Sequence, residues 1–152
     1  MHVMTKYLDT KKATINALQD FAVMEQIINT TDEQIKTAYD DATTLGSPKF
    51  DGTPRSNDPR AGETRVAATL DRIDTYKARY GQARQYMDWF LPAWETLSED
   101  DRTVLEAFFL SEGTQDDAVQ AVCERFYVER TSAYQKKSRA LARLATALYG
   151  RM

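Results

Sequence analysis

Residues 130–149 read RTSAYQKKSRALARLATALY, and this stretch decides the predicted fold. At about 100° per residue, a helix over it gathers its side chains on two opposite faces. The face that we expect to join a core carries Tyr134, Ser138, Leu141, Leu144, Ala145 and Leu148. The other face carries Ser132, Gln135, Lys136, Arg139 and Arg143. This helix therefore needs a packing partner on one side and offers positive charge on the other.

Two shorter helices precede this stretch. Ser98 is the predicted N-cap of the first, with acidic residues in its first turn, and Thr114-Gln115-Asp116-Asp117 is the predicted cap of the second. Gly113 suits the turn between them, and Tyr127-Val128-Glu129 forms the next turn. The apolar faces of the two helices are Val104, Leu105, Phe108 and Phe109 in the first, and Ala118, Val119, Val122, Cys123 and Phe126 in the second. Three helices with short turns, the last one basic, are typical of a helix-turn-helix domain that binds DNA.

The charge distribution supports the same interpretation, although the net charge of the 152-residue chain is −3. From Leu97 to Glu124 the chain carries eight acidic side chains and one arginine, whereas from Arg125 to Met152 it carries seven basic side chains and one glutamate. The local field, more than the net charge, determines where a phosphate backbone docks. We therefore expect the helix over 130–149 to be the main positive surface.

The N-terminal part of the sequence predicts long helices. The first block runs from Tyr7 to Thr44, and its apolar seam at helical spacing comprises Leu8, Ile15, Leu18, Phe21, Ala22, Ile28, Ile35, Tyr39 and Ala42. Capping patterns in Thr30–Gln34 leave open whether this block is one helix or two. The second block runs from Glu63 to Leu91, and its apolar seam extends to Leu97 and resembles that of a coiled coil: Leu70, Ile73, Tyr76, Tyr80, Ala83, Met87, Phe90, Trp94 and Leu97. Pro92 is expected to end or kink this second helix.

A linker, Leu45 to Gly62, separates the two blocks and holds three of the four prolines and three of the six glycines. Its basic residues between Lys49 and Arg60 suit either a simple connector or a second contact with a DNA backbone. We therefore predict an all-α protein: an antiparallel hairpin of long helices over 1–97, with the linker 45–62, followed by a three-helix helix-turn-helix domain over 98–152.

Several classes of protein are disfavoured. The chain has one cysteine, Cys123, among apolar residues, and one histidine, His2, so neither a disulfide nor a zinc cluster can form within the chain. The sequence holds no glycine-rich phosphate loop, and we expect no enzyme activity, metal or cofactor. It has neither a run of roughly 20 apolar residues nor a signal-type apolar start, so we expect a cytoplasmic protein without membrane contact.

Leu97 to Leu148 resembles region four of sigma factors and, more closely, the sigma-like C-terminal domain of phage-encoded transcription regulators of the RinA and ArpU kind. The resemblance rests on Asp101-Arg102-Thr103-Val104-Leu105, Ala118, Ala121, Val128, Tyr134 and Ala140-Leu141. In those families a helical region precedes the domain, and Asp51-Gly52-Thr53-Pro54-Arg55 is similar to a loop motif within it. Glu129 stands where such domains usually carry a serine or threonine cap.

The resemblance implies a DNA-binding transcription regulator of phage or prophage type that presents its last helix to the major groove. The expected DNA contacts are Arg130, Thr131, Ser132, Gln135, Lys136, Arg139 and Arg143. Duplex DNA is the expected partner, while RNA polymerase and a second copy of the chain are left open. The alternative is a helical assembly or DNA-packaging protein, similar to a terminase small subunit, that oligomerises through its coiled-coil region. A basic face that is merely solvated is the third interpretation.

Overall fold

The computed structural model describes residues 8–44 and 59–150, and in these two ranges the chain forms helices and turns without any strand. The helices are α1 (Thr10–Thr44), α2 (Pro59–Glu95), α3 (Glu99–Leu105), α4 (Gln115–Phe126) and α5 (Arg130–Tyr149). A π-helical turn, Glu106–Leu110, follows α3 directly. The all-α class is thus confirmed. The predicted helical residue Tyr7 and residues 45–58 of the predicted linker lie outside the described ranges.

The first helical block is one helix. Thr30 and Thr31, which were expected to suit a cap, instead lie inside α1, and their hydroxyls donate hydrogen bonds to the carbonyls of Gln26 and Ile27 one turn earlier. A threonine whose hydroxyl bonds to the carbonyl four residues back can stay within a helix. This local bonding explains why the capping patterns do not interrupt α1.

The second block is longer than predicted at both ends. α2 begins at Pro59, so residues 59–62 of the predicted linker are helical; proline suits the first helical position because its missing N–H has no acceptor there. The helix also continues through Pro92 to Glu95, so the prediction that Pro92 could end it is wrong. Phe90 and Ala93 are both buried, and their packing holds the backbone helical on either side of the proline.

The described chain divides into two compact units, one formed by residues up to Met24 together with residues from Gln85 onward, and one formed by residues between Glu25 and Arg84. These units group the residues differently from the predicted domains 1–97 and 98–152. The reason is that one apolar cluster contains side chains from α1, α2, α3 and α5: Ala17, Leu18, Phe90, Ala93, Leu97, Leu105, Ala140, Leu141, Leu144 and Leu148.

The first unit is organised around Phe90. Its ring lies 5.4 Å from that of Phe21, 5.3 Å from that of Tyr86 and 5.8 Å from that of Trp94, measured between centroids. The Tyr86 hydroxyl donates a hydrogen bond to the carbonyl of Ala17, and burial raises the pKa of this phenol well above its ordinary value. A second cluster in the same unit comprises Val104, Val119, Val122 and Ala133. Together the two clusters pack α5 against α3 and α4.

The second unit is built from the second half of α1 and the first part of α2. Thr31, Ala38 and Ile73 are buried in it, whereas Tyr39 and Leu70 are each 49% exposed although both were predicted to lie in apolar seams. The seam of α1 instead passes through small side chains. Threonine and alanine allow helices to approach closely, and a search for large apolar residues overlooks them.

Candidate nucleic-acid interface

α4 begins with the reciprocal cap that the sequence predicts. The Thr114 hydroxyl accepts a hydrogen bond from the backbone N–H of Asp117 at 3.3 Å, and the Asp117 carboxylate accepts one from the backbone N–H of Thr114 at 2.9 Å. The hydrogen bond from the Thr114 backbone, and to a smaller extent the one from the Thr114 hydroxyl, lowers the pKa of the Asp117 carboxyl group. Gly113 has a φ of 128°, which a residue with a side chain rarely adopts. Residues 113–117 therefore fix the start of α4.

A three-residue turn, Tyr127–Glu129, joins α4 to α5. Tyr127 lies in the left-handed region with φ 53° and ψ 48°, and the N–H of Val128 donates to the carbonyl of Cys123 at 3.2 Å. Glu129 occupies the N-cap position of α5, but within the described residues its carboxylate makes no capping hydrogen bond. Backbone hydrogen bonds, and not a side-chain cap, therefore define this turn.

α5 has a buried stripe that differs in part from the predicted one. Leu141, Leu144 and Leu148 are buried as expected, but Tyr134 is 36% exposed and Ser138 is exposed. Two alanines that were not assigned to the core-facing side, Ala133 and Ala140, are fully buried. The close approach of α3 and α4 to α5 explains this difference, because it leaves room for a methyl group only.

The face of α5 opposite this stripe carries the centre of the candidate interface. Thr131, Gln135 and Arg139 are all exposed and succeed one another at four-residue spacing, so they lie on one side of the helix. Ser132 and Lys136 lie beside them and are half-buried. Among the described residues, Arg139 has neither an ion pair nor a hydrogen bond to its guanidinium. Its charge is therefore available to an external anion.

Two other predicted contact residues are engaged with acidic side chains. Arg130 forms a hydrogen-bonded ion pair with Asp116 of α4. The hydrogen bond with Asp116, and to a smaller extent one with Tyr134, raises the pKa of the guanidinium. Arg143 donates from Nη1 to both carboxylate oxygens of Asp101 in α3, at 2.8 and 2.6 Å. The acidic segment thus neutralises both ends of the predicted basic face, so that the positive charge is concentrated near the middle of α5.

Two lysines in the middle of α5 lie over aromatic rings. The Lys136 ammonium is 4.8 Å from the centroid of the Phe126 ring, and the Lys137 ammonium is 4.9 Å from that of Phe108 and 5.3 Å from that of Phe109. Burial, and then the charge of Lys11, lowers the pKa of Lys137. The sequence did not single out Lys137. The only signal for it in the sequence was its position in the helix. One residue after Lys136 a helix has turned by roughly 100°, so Lys137 lies on the side of α5 that faces Phe108.

Other kinds of site are not formed by the described residues. No three His, Cys, Asp or Glu side chains come together there in a way that could hold a metal ion. Cys123 is half-buried against the cluster around Val122. No helix within 8–44 or 59–150 has both the length and the apolar character needed to cross a bilayer.

Comparisons of the chain with protein-family models, with curated proteins and with solved structures give no match.

Proposed function

We propose that this protein is a DNA-binding transcription regulator of phage or prophage type. In this proposal α3, α4 and α5 form a sigma-like helix-turn-helix domain over 98–152, and α5 enters the major groove of duplex DNA. α1 and α2 form the antiparallel hairpin, over 1–97, that precedes it. RNA polymerase and a second copy of the chain are further candidate partners.

The observation that carries the proposal is the exposed row Thr131, Gln135 and Arg139, which directly follows a capped helix and a three-residue turn. A helix-turn-helix reads DNA with the N-terminal half of its second helix, and these residues lie in that half of α5. The Gln135 amide can pair with the edge of adenine, and the Arg139 guanidinium with that of guanine. Both side chains project from a helix whose opposite face is held in a core, so the backbone positions from which they reach out are fixed.

The remaining residues suit contacts with the DNA backbone. Lys136 lies beside the reading face, and the ring of Phe126 holds its ammonium group in place. Ser132 and Thr131 can donate hydroxyl hydrogen bonds to phosphate oxygens near the start of α5. Arg130 is paired with Asp116 and Arg143 with Asp101, so each can contact a phosphate only by giving up its ion pair. We therefore expect them to add less affinity for DNA than two unpaired arginines would.

The proposal is tested by titrating duplex DNA at several salt concentrations. If about four phosphates are neutralised, the logarithm of the binding constant falls with the logarithm of the salt concentration at a slope of about −4. The double variant Lys136→Ala/Arg139→Ala is expected to lose at least about tenfold in affinity and about two units of this slope.

The matched control is Lys77→Ala/Arg79→Ala, which removes the same two charges from exposed positions of α2. Circular dichroism spectra establish that both variants remain helical. Absence of DNA binding by the unaltered protein at low salt, or equal losses in the two double variants, would contradict the proposed function.

A second candidate, a helical assembly or packaging protein, is favoured by one observation in the second compact unit. Tyr39, Val66 and Leu70 in this unit expose about half of their side-chain surface, with values of 49%, 52% and 49%. Val66 and Leu70 lie one turn apart on α2 and so share a side of that helix, and neighbouring exposed apolar side chains are typical of surfaces that bind a further chain. Light scattering separates the candidates, because a closed ring of many copies favours packaging, whereas a monomer or dimer that binds DNA favours regulation.

A further inference from the structure

A groove lies between the first turn of α1 and the second half of α5, within the first compact unit. It encloses about 370 Å³ and is lined by Thr10, Lys11, Ser138, Leu141, Ala142, Ala145, Thr146 and Gly150. Leu141 and the alanines provide an apolar floor, while hydroxyl groups and the Lys11 side chain provide polar walls. The chain thus brings a cation from its N-terminal end, Lys11, next to the helix proposed to read DNA.

Lys137, the other lysine of α5 close to Ser138 in sequence, is not part of the groove wall. At roughly 100° per residue it projects roughly 160° away from Gln135. The rings of Phe108 and Phe109 lie on that side of α5 and contact its ammonium group. Within the described residues, no carboxylate lies within ion-pair distance of Lys11. The charge of Lys11 is therefore available to an external anion.

The position of the groove around α5 indicates what anion Lys11 meets. At roughly 100° per residue, Ser138 lies roughly 60° from Gln135 in one direction and Lys136 roughly 100° from it in the other. Lys136 therefore flanks the reading face on one side, and the groove with Lys11 flanks it on the other. The major groove is about 12 Å wide and is bordered by two phosphate backbones, so a helix inside it meets phosphates along both flanks.

We propose that Lys11 binds a backbone phosphate of the DNA strand that borders α5 on the side opposite Lys136. This inference rests on the proposed function and extends the interface to α1, outside the helix-turn-helix. Thr10 and Ser138 lie on the same walls and can donate hydroxyl hydrogen bonds to the same phosphate. The contact carries no base specificity, but it sets the angle at which α5 enters the groove.

The test is duplex titration of Lys11→Ala at several salt concentrations, with Lys36→Ala as the matched control. Lys36 is exposed on the same helix but belongs to the second compact unit. We expect Lys11→Ala to weaken binding roughly fivefold on every DNA sequence and to reduce the salt slope by about one, while Lys36→Ala changes neither.

A second control, Lys137→Met, removes a charge from α5 itself but keeps an unbranched apolar side chain over the rings of Phe108 and Phe109. It is expected to weaken binding less than Lys11→Ala, because Lys137 projects away from the reading face. A loss at Lys137→Met as large as that at Lys11→Ala would contradict a contact localised at Lys11.

Three other outcomes would overturn this inference. If the unaltered protein binds DNA and loses affinity on Lys136→Ala/Arg139→Ala, but Lys11→Ala leaves affinity and slope unchanged, the phosphate contact fails and the proposed function stands. Equal losses for Lys11→Ala and Lys36→Ala would also exclude a localised contact. If the unaltered protein does not bind duplex DNA, both proposals fail together.

Discussion

Arg143 of α5 is tied to Asp101 of α3 across 42 residues of sequence, because its Nη1 donates to both oxygens of a carboxylate whose residue is only 8% exposed. The Asp101 backbone N–H also donates to the hydroxyl of the N-cap Ser98 at 3.2 Å. One acidic residue thus connects the start of α3 to the second half of α5. The consequence is that Arg143, predicted as a DNA contact, is also a structural residue.

Replacing Arg143 with methionine keeps the apolar stem of the side chain and leaves the Asp101 carboxylate buried without its cation. We expect the free energy of unfolding to fall by about 1–3 kcal/mol, less than for a fully buried pair because the Arg143 side chain is itself largely exposed. Urea denaturation followed by circular dichroism measures this loss.

The control for this prediction is Arg139→Met, which makes the same chemical change where no carboxylate is paired and should alter stability by no more than about 0.5 kcal/mol. Adding Asp101→Asn to Arg143→Met should restore part of the loss, since the unpaired charge is then removed. Equal losses at positions 139 and 143 would show that the ion pair does not stabilise the fold.

The pair between Arg130 and Asp116 predicts a variant that binds DNA more tightly. Asp116→Asn removes a negative charge near the start of α5 and releases the Arg130 guanidinium to contact a phosphate. We expect roughly threefold higher affinity at low salt, with a slightly steeper salt slope. Glu112→Gln removes the same charge from an exposed residue that has no ion pair in the described structure. An identical gain in both variants would mean that net charge, and not the release of Arg130, is responsible.

Local signals predicted the helix boundaries best. Ser98 and Thr114 were assigned as caps from a few neighbouring residues, and both accept the expected hydrogen bond from the backbone three residues on. Contacts between distant residues were not predictable in this way. The pairing of Arg143 with Asp101 depends on how α3 packs against α5, and the helical path through Pro92 depends on the burial of Phe90.

The predicted face of α5 was likewise right only in part. Its leucines were assigned correctly because they are large and apolar, whereas buried Ala133 and Ala140 were overlooked and exposed Tyr134 was placed inside. Side-chain size is a poor guide where two helices approach closely, since the closest contact is made by the smallest residues. Gln135 and Arg139 were nevertheless placed correctly on the exposed side of the helix, because charge and polarity mark an exposed face independently of packing.

The cap of α4 predicts a dependence of stability on pH. The pKa of Asp117 is lower in the folded protein than its ordinary value, so its carboxylate stabilises the fold above the pKa of the unfolded chain and stops doing so as the pH falls through the lowered value. Asp117→Asn should therefore lower the melting temperature at neutral pH, and the difference from the unaltered protein should shrink in acid. Glu112→Gln should show no such convergence when thermal melts are recorded at both pH values.

Phe90 and Leu70 belong to the same predicted seam of α2, yet the structure predicts very different effects of their replacement. Phe90 is 1% exposed and contacts three aromatic rings, whereas Leu70 is 49% exposed. Phe90→Ala should lower the free energy of unfolding by about 3–4 kcal/mol because it leaves a cavity, and Leu70→Ala by less than about 1 kcal/mol. Urea denaturation of both variants tests this, and similar losses would contradict the assignment of Phe90 to the core.

Tyr127 is the non-glycine residue with a positive φ in the described chain, and its side chain is 95% exposed. A Cβ in this left-handed conformation is crowded by the backbone, while the exposed ring contributes little packing. Tyr127→Gly should therefore raise the free energy of unfolding by about 0.5–1 kcal/mol, even though glycine also makes the unfolded chain more flexible. Tyr127→Ala keeps the Cβ and should give no comparable gain in urea denaturation. If alanine and glycine stabilised the protein equally, the exposed ring, and not the backbone conformation, would be the source of strain in the turn between α4 and α5.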